Sequence, residues 1–245
     1  MVSIQGLLTG LFGFYNTVFQ PVLSLGPYLA LAFFSVALAG VFSVIYWFLL
    51  DIEKNKNLKE KISNTQEKMK EARKNDETDK ASDHMQKTME LNQKMMMLNF
   101  KPMIATMVFV GLIFPWLGAT FAPSVDLKQV NNTTYTGNFS YAGETNRITV
   151  INETEPVLQI NGEEINQGEQ FNQQGISWKF QKFGKGGGGY LGLIGSDGIT
   201  AKINAVFIPL PFSAPLVGTA LNWLGFYILI AMPLTFLFRK MLGVQ

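Results

Sequence analysis

The sequence predicts an α-helical integral membrane protein with a small all-β domain inserted between its second and third membrane spans. Three observations lead to this fold class. The 245-residue chain contains three long apolar segments, a lysine-rich segment of helical periodicity separates the first two, and a segment of strand-like patterns separates the last two. The apolar residues are strongly concentrated, because residues 1–50 contain no Asp, Glu, Lys or Arg while the mean hydropathy of the chain is only +0.15.

The three apolar segments are each long enough to cross a bilayer as a helix. We predict span 1 at residues 27–50, span 2 at residues 102–121 and span 3, with a short tail, at residues 213–245. A helix rises ~1.5 Å per residue, so about 20 residues cross a hydrocarbon core of ~30 Å. The apolar part of span 3 runs from Ala214 to Phe238.

The residues before span 1 show a further helical pattern that is less uniformly apolar. Apolar residues recur within residues 3–20, but Gly6, Gly10 and Gly13 interrupt them. We therefore predict that residues 1–26 contain a helix lying in the interface on the outer side of the membrane. A short fourth span is the alternative, and it would move only the N-terminus to the other side.

The lysine-rich segment, residues 51–101, has the pattern of a helical hairpin. Two amphipathic stretches flank the turn-forming residues 75–79. Apolar residues mark one face of the stretches at Ile52, Leu58, Ile62, Met69 and Ala72, and then at Ala81, Met85, Met89 and Met96. We predict an antiparallel two-helix coiled coil with a thin apolar seam. The single histidine, His84, is expected on a solvated face.

The segment between spans 2 and 3, residues 122–212, predicts an extracytoplasmic sandwich or barrel of short antiparallel strands. β-rich runs bounded by turn residues lie at Arg147–Asn152, Val157–Ile160, Ile176–Phe180, Tyr190–Ile194 and Ile199–Phe207. The pair Asn161 and Gly162 between two of these runs predicts a tight hairpin turn. Residues 184–189 are glycine-rich, but no Ser or Thr follows Lys185 as a phosphate-binding loop requires, so we predict a flexible loop.

Charge in the two long loops predicts how the chain crosses the membrane. Residues 51–101 carry twelve Lys and Arg against ten Asp and Glu, whereas residues 122–212 carry six against eight. Positive residues favour the cytoplasmic side, so we predict a cell-membrane protein with its N-terminus and β domain outside and its hairpin and C-terminus in the cytoplasm. Glycosylation sequons in the second loop agree with this orientation, at Asn131, Asn132, Asn138 and Asn152. Glycosylation at these sequons would favour an archaeal or eukaryotic source.

Composition excludes several functional classes. The chain has no cysteine, so thiol catalysis and a disulfide framework are impossible, and one histidine alone cannot form a zinc site. No charged residue lies in the interior of a predicted span, which argues against a proton relay, a voltage sensor or an ion-coupled pump. The net charge of +2 is too small to indicate nucleic-acid binding. We expect no cofactor and no metal.

Uncharged polar side chains recur within the predicted spans and could line a shallow hydrated groove open to the cytoplasm. Ordinary hydrogen bonding between helices is the alternative for each of them. The groove candidates are Ser35, Ser43, Tyr46, Thr106, Asn222, Tyr227 and Thr235. Flexible thioethers near the membrane end of the hairpin could contact varied apolar segments, or could simply pack the hairpin. This second group comprises Met85, Met89, Met95, Met96 and Met97.

The order of these elements resembles that of the YidC/Oxa/Alb membrane insertase superfamily, and especially its archaeal YidC-like branch. The similarity covers residues 1–121 and 213–245, and it is best at Leu221–Ile230 and Leu237–Val244, which are similar to the family's last span. The chain departs from the family in its β domain and in lacking a peripheral pair of spans. It also lacks the arginine that some bacterial members place on the first core span.

The resemblance implies a membrane protein insertase that is not an enzyme, because no bond is made or broken. Such a protein passes the polar flank of a client through a hydrated, lipid-open groove in a locally thinned bilayer. Its partners would be nascent membrane proteins, the lipid bilayer and, through the hairpin, the ribosome. Two alternatives stay open: a membrane-anchored surface protein whose outer β domain binds a ligand, and a channel-like protein.

Overall fold

The computed structural model of the protein describes residues 4–173, 175–186, 198–214 and 218–244. Within these residues the chain forms five helices and ten strands. The helices are α1 (Ile4–Leu23), α2 (Pro27–Leu49), α3 (Ile52–Lys74), α4 (Thr78–Phe121) and α5 (Trp223–Met241). All ten strands lie between α4 and α5.

Three of the helices in the described part of the chain, α2, α4 and α5, are long and apolar enough to cross a membrane. The three predicted membrane spans are therefore confirmed as helices of suitable length and composition. The residues before span 1 form a helix as well, α1, which ends two residues after Pro21. Its placement in the membrane interface stays a prediction.

The predicted boundary between the hairpin and span 2 is not a break in the helix. The second hairpin arm and span 2 form one continuous helix, α4, of 44 residues. Pro102 lies inside α4 and its side chain is buried. A proline removes one backbone hydrogen bond and strains the preceding turn, but here the turns on both sides keep the helical conformation.

The last membrane helix begins later than its predicted start at residue 213. α5 starts at Trp223, and residues 208–221 contain two paired strands instead. Pro209 and Pro211 disfavour helix in this stretch because proline has no backbone N–H. Asn222 then caps α5, since its Oδ1 accepts a hydrogen bond from the Gly225 backbone N–H at 3.0 Å.

The chain forms two compact units. The first contains Met1–Ser35 and Gly111–Ile230, and it includes all ten strands. The second contains Val36–Val110 and Ala231–Gln245, and it includes both arms of the hairpin. Each unit has its own buried residues.

The β domain of the first unit is an antiparallel sheet of eight strands followed by a two-stranded hairpin. In chain order the strands are β1 (Ser124–Gln129), β2 (Thr134–Tyr141), β3 (Glu144–Asn152), β4 (Pro156–Ile160), β5 (Glu163–Asn166), β6 (Gln170–Gln173), β7 (Ile176–Lys185), β8 (Ile199–Ala205), β9 (Ile208–Ala214) and β10 (Gly218–Leu221). The large sheet has the order β5-β4-β3-β2-β1-β8-β7-β6, and β9 pairs with β10.

The large sheet nearly closes on itself, so the domain is close to a barrel and is not a sandwich. Its two edge strands, β5 and β6, are consecutive in the chain. Asn161, in the turn before β5, donates from Nδ2 to Gln173 Oε1 at the end of β6, at 3.0 Å. This hydrogen bond joins the two ends of the sheet.

The predicted strands agree with the observed ones where the pattern is apolar. Four of them coincide largely with β3, β4, β7 and β8, whereas Tyr190–Ile194 lies outside the described residues, as do the last three residues of the glycine-rich run. The tight turn between β4 and β5 is confirmed, because Asn161 and Gly162 both have positive φ, 52° and 87°. Six of the described strands were not predicted. Of these, β1, β2, β5 and β6 are largely polar, with one or two buried side chains each, and β9 and β10 lie around the predicted start of span 3.

Aromatic side chains fill the inner face of the sheet. Phe139 and Trp178 are both fully buried, with ring centroids 4.9 Å apart. Tyr141 packs on the same indole at 5.4 Å. Burial raises the pKa of the Tyr141 hydroxyl, whose oxygen has no hydrogen-bond partner among the described residues. The interior of the domain is therefore a packed core.

One buried tryptophan joins three helices in the first unit. Trp116 of α4 is 1% exposed and its ring lies 5.2 Å from that of Phe34 on α2 and 5.4 Å from that of Phe19 on α1. Tyr15 of α1 adds a further edge contact at 5.5 Å. The Trp116 Nε1–H donates to Asn16 Oδ1 of α1 at 2.8 Å. These contacts fix α1 against the first-unit parts of α2 and α4.

The hairpin in the second unit has a seam with regular steps of three and four residues, the spacing of a heptad repeat. The buried positions are Asn55, Ile62, Thr65 and Ala72 on α3, and Ala81, Thr88 and Leu91 on α4. The half-buried positions that complete the spacing are Leu58, Met69, His84, Met95 and Leu98. The seam thus includes polar side chains as well as apolar ones.

Part of the predicted seam is wrong. Met85, Met89 and Met96 are exposed, because the register that begins at Ala81 passes through Thr88 and Leu91 and turns these methionines outward. His84 is half-buried in the seam and does not lie on a fully solvated face.

Gly137 on β2 should be essential for the pairing of β1 with β2. A Cβ at this position would lie 2.5 Å from the Asp126 carbonyl oxygen and 2.8 Å from Leu127 Cδ2. We expect Gly137→Ala to destabilise the sheet by about 1–3 kcal/mol, because the neighbouring backbone must shift. Hydrogen exchange of the β1 and β2 amides should accelerate. Gly111→Ala, where a Cβ meets no atom within 4 Å, is the control, and equal protection in both variants would contradict this prediction.

Trp116→Phe should loosen α1. The variant keeps an aromatic ring but leaves the side-chain oxygen of Asn16, Oδ1, without its donor, which should cost about 1–3 kcal/mol. The chain has no cysteine, so single cysteines can report on α1. A cysteine at Leu23, which is 4% exposed, should react faster with a thiol reagent in the variant. A cysteine at the exposed Val18 should react equally in both backgrounds, and an unchanged rate at Leu23 would argue against the prediction.

Candidate functional site

Three of the polar residues predicted for the groove lie in the first unit and have structural partners there. Ser35 is fully buried and donates to the Leu31 carbonyl oxygen of its own helix at 2.7 Å. Asn222 is exposed and caps α5. Tyr227 is 8% exposed and packs its ring edge-on against Phe114 at 5.1 Å.

The other four predicted groove residues lie in the second unit. Ser43 is fully buried and donates to the Ala39 carbonyl oxygen at 2.7 Å. Thr106 is half-buried and donates to the Met103 carbonyl oxygen at 2.9 Å. Tyr46 and Thr235 are half-buried. The hydroxyl protons of Ser43 and Thr106 are therefore used within their own helices, and these oxygens can still accept a hydrogen bond.

The second unit brings Tyr46 together with a residue that the sequence did not indicate, Arg239. The guanidinium carbon of Arg239 lies 3.8 Å above the centre of the Tyr46 ring, which is a cation–π contact. Close approach of the same two helices continues at Gly40, where an added Cβ would lie 3.9 Å from Phe238 Cε2. Arg239 is in the last turn of α5, where a cation is favoured by the helix dipole. Its place in a terminal turn would not by itself predict the contact with Tyr46.

Arg239 also has an unused donor. Its Nε is buried and has no hydrogen-bond partner among the described residues. A guanidinium N–H that is removed from water and left unpaired favours a carboxylate, a phosphate or a carbonyl oxygen. The hairpin-side ends of α2 and α5 therefore hold a guanidinium whose buried Nε–H has no acceptor among the described residues.

The methionines near the membrane end of the hairpin form an exposed apolar surface. Met89, Met96 and Met97 are 65%, 67% and 68% exposed, and Met85 is 43% exposed. Met95 differs, because it is half-buried in the seam. Met103 and Met107 extend the exposed surface along α4. We call Met89, Met96, Met97, Met103 and Met107 the methionine surface.

The asparagines of all four sequons are exposed. The side chain of Asn131 is engaged in its own turn, since its Oδ1 accepts from the Thr133 and Thr134 backbone N–H groups at 3.1 and 2.7 Å. Asn152 lies beside the same turn, because its backbone N–H donates to the Thr133 carbonyl oxygen at 2.8 Å. Asn132 is exposed in this turn, and Asn138 lies within β2.

The contact between Arg239 and Tyr46 should be measurable by a double-mutant cycle. Arg239→Gln and Tyr46→Leu each remove it, and we expect a coupling energy of about 0.5–2 kcal/mol for unfolding in mixed micelles. Tyr46→Phe keeps an aromatic face and should retain most of the coupling to Arg239. A coupling near zero, or equal effects of Tyr46→Phe and Tyr46→Leu, would show that the contact contributes nothing.

Comparison with known proteins places the chain in a family. Residues 16–143, just over half of the chain, match the family described as integral membrane protein EMC3/TMCO1-like. No curated protein and no solved structure matches the chain significantly. The match includes α2, the hairpin and the membrane part of α4, and it ends within the β domain. The chain therefore belongs to the EMC3/TMCO1-like family of integral membrane proteins, part of the Oxa1/YidC/Alb3 insertase superfamily.

Proposed function

We propose that this protein is a membrane insertase that passes polar flanks of client proteins through a hydrated, lipid-open groove, without catalysing a covalent reaction. Membership of the EMC3/TMCO1-like family carries this proposal, because that family is one of non-enzymatic insertases. The exposure of the membrane helices supports it. Only 11% of the apolar window of α5 and 28% of that of α4 are buried within the protein. Such helices leave most of their surface open to lipid or to a client.

The orientation in this proposal puts the N-terminus and the β domain outside and the hairpin in the cytoplasm. The excess of lysine and arginine in the hairpin favours its retention on the cytoplasmic side. The four exposed sequon asparagines are compatible with an external β domain. An archaeal or eukaryotic source would fit glycosylation there.

The groove in this proposal is centred on the hairpin-side ends of the spans. Its contacts would be Tyr46, Thr106, Thr235 and Arg239, which are all half-buried in the second unit and hence reachable. An unpaired polar group in hydrocarbon costs several kcal/mol. The guanidinium and the hydroxyl oxygens would lower that cost by giving the client's polar flank partners as it leaves water.

The remaining groove candidates would support the helices and would not touch the client. Ser35 and Ser43 are fully buried, so they would let neighbouring side chains pack closely. Asn222 would hold the start of α5, and Tyr227 would pack α5 against Phe114. Their substitution should therefore affect protein level more than client contact.

The methionine surface would receive the apolar part of the client. Thioether side chains are flexible and polarisable, so they adapt to different apolar sequences. The exposure of Met89, Met96 and Met97 supports this role, since packing of the hairpin does not use these side chains. Met95, which is half-buried in the seam, would contact the client with the exposed part of its side chain. The exposed charged faces of the hairpin could also contact the ribosome during synthesis.

Photocrosslinking to a ribosome-stalled nascent membrane protein tests the proposal. Probes at Tyr46, Thr106 and Met96 should crosslink to the client in native membranes. A probe at Leu29 is the matched control, because it is 62% exposed against 67% for Met96 but lies at the opposite end of α2 from Tyr46. Adducts at Leu29 equal to those at Met96, or no adducts with intact protein, would reject a client groove on the hairpin side.

Substitutions in the methionine surface test whether apolar character alone, or the methionine side chain itself, is needed to receive the client. Replacing Met89, Met96 and Met97 together by glutamine should reduce crosslinking and insertion by about tenfold, because the buried apolar area is lost. The matching leucine triple variant should keep most of the activity. If the glutamine variant inserts clients normally, the methionine surface is not the receiving site.

A further inference from the structure

A cleft of about 580 Å³ lies between the two arms of the hairpin, within the second unit. The first arm lines it with Lys54, Asn57, Leu58 and Lys61. Steps of three and four residues place these side chains on one face of α3. They include two positive charges, one amide that can donate a hydrogen bond, and one apolar side chain.

The second arm completes the cleft with one more lysine and two apolar side chains. Lys94, Met97 and Leu98 of α4 line it, again at steps of three and four residues. The cleft therefore combines three ammonium groups with the apolar side chains of Leu58, Met97 and Leu98. A small inorganic anion would use only the lysines, whereas an anion attached to a hydrocarbon chain would use both parts.

The lysines of the cleft can still bind an anion. Lys54 pairs with Asp51 at 2.8 Å and Lys94 with Glu90 at 2.6 Å. Both lysine side chains are more than half exposed, so these pairs are solvated and easily exchanged. Neither carboxylate lines the cleft, and Lys61 has no carboxylate partner in the described part of the chain. Positive charge thus predominates at the cleft itself.

The membrane-side end of the cleft is at the depth of a lipid headgroup. Lys54 is five residues after the end of α2 at Leu49. Leu98 is five residues before Met103, where the apolar part of α4 begins. At ~1.5 Å per residue Lys54 and Leu98 lie within about 8 Å of the hydrocarbon, which is the thickness of the headgroup layer, while Lys94 and Lys61 lie about 14 and 18 Å from it. The cleft therefore runs outward from the headgroup layer.

We propose that this cleft is a binding site for an anionic phospholipid, with the anionic headgroup held by Lys54, Lys61 and Lys94 and the glycerol backbone and first acyl carbons against Met97 and Leu98. Lysines next to a membrane span attract anionic lipid electrostatically, and the apolar wall adds selectivity for a lipid over a free anion. The bound lipid would bridge α3 and α4 at the base of the hairpin. An acidic peptide would meet the same lysines but would not normally lie in the headgroup layer.

Native mass spectrometry of the full-length protein in detergent tests this site. The probes are phosphatidylglycerol, which is anionic, and phosphatidylcholine, which is zwitterionic. The wild-type protein should bind one phosphatidylglycerol at least about fivefold more tightly than phosphatidylcholine. Replacing Lys54, Lys61 and Lys94 together by glutamine should weaken the binding of phosphatidylglycerol by about tenfold and leave the binding of phosphatidylcholine unchanged.

A second triple variant controls for overall charge. Lys70, Lys74 and Lys87 are exposed on the hairpin and do not line the cleft. Replacing them by glutamine removes the same charge and should change phosphatidylglycerol affinity by less than about twofold. An equal loss in both triple variants, or equal affinity of the wild type for the two lipids, would overturn the proposal.

Two further measurements distinguish a lipid from a free anion as the ligand of the cleft. Met97→Gln should weaken the binding of phosphatidylglycerol, and inorganic phosphate at millimolar concentration should fail to displace the lipid. Displacement by phosphate together with normal lipid affinity of Met97→Gln would mean a free-anion site and would reject the lipid. Lysine-dependent binding of a polyglutamate peptide without preference for phosphatidylglycerol would also reject it. All of these experiments measure binding, so their outcome is independent of insertion activity.

Discussion

The indole of Trp116 is the contact on which the helical part of the first unit depends. It belongs to α4, touches rings of α1 and α2, and satisfies the side-chain oxygen of Asn16. Large aromatic side chains contribute much buried area in one rigid piece, and the N–H gives that piece a fixed orientation. Phe19 of α1 also contacts Phe34 of α2 directly, with ring centroids 5.0 Å apart, so Trp116 completes a cluster of rings contributed by three helices.

Much of the fold could be predicted from the sequence because hydrophobicity is a local property. The three spans follow from uninterrupted apolar runs, and the turn at Asn161 and Gly162 follows from the positive φ that both residues tolerate. The hairpin seam could be predicted only in part. Its register uses Asn55, Thr65 and Thr88 at buried positions, and a search for apolar residues selects the neighbouring methionines instead.

The candidate site was harder to predict because it depends on pairs of side chains from different helices. Helix periodicity correctly groups Ser43 and Tyr46 on one face of α2, but it does not show that Ser43 bonds to its own helix while Tyr46 holds a guanidinium. Arg239 lies in a terminal turn, where an arginine commonly marks only the cytoplasmic flank of a span. Its unpaired Nε becomes visible only in the folded chain.

The near closure of the β domain has a consequence for its behaviour in a crowded membrane. An open sheet offers unpaired backbone groups at its edges, and these groups can recruit strands of other chains. Here the two edge strands of the eight-stranded sheet have only four residues each, and β5 presents Glu163 and Glu164 as exposed charges. The large sheet therefore offers little backbone to unfolded neighbours, so it can lie beside incompletely folded polypeptides without pairing with them.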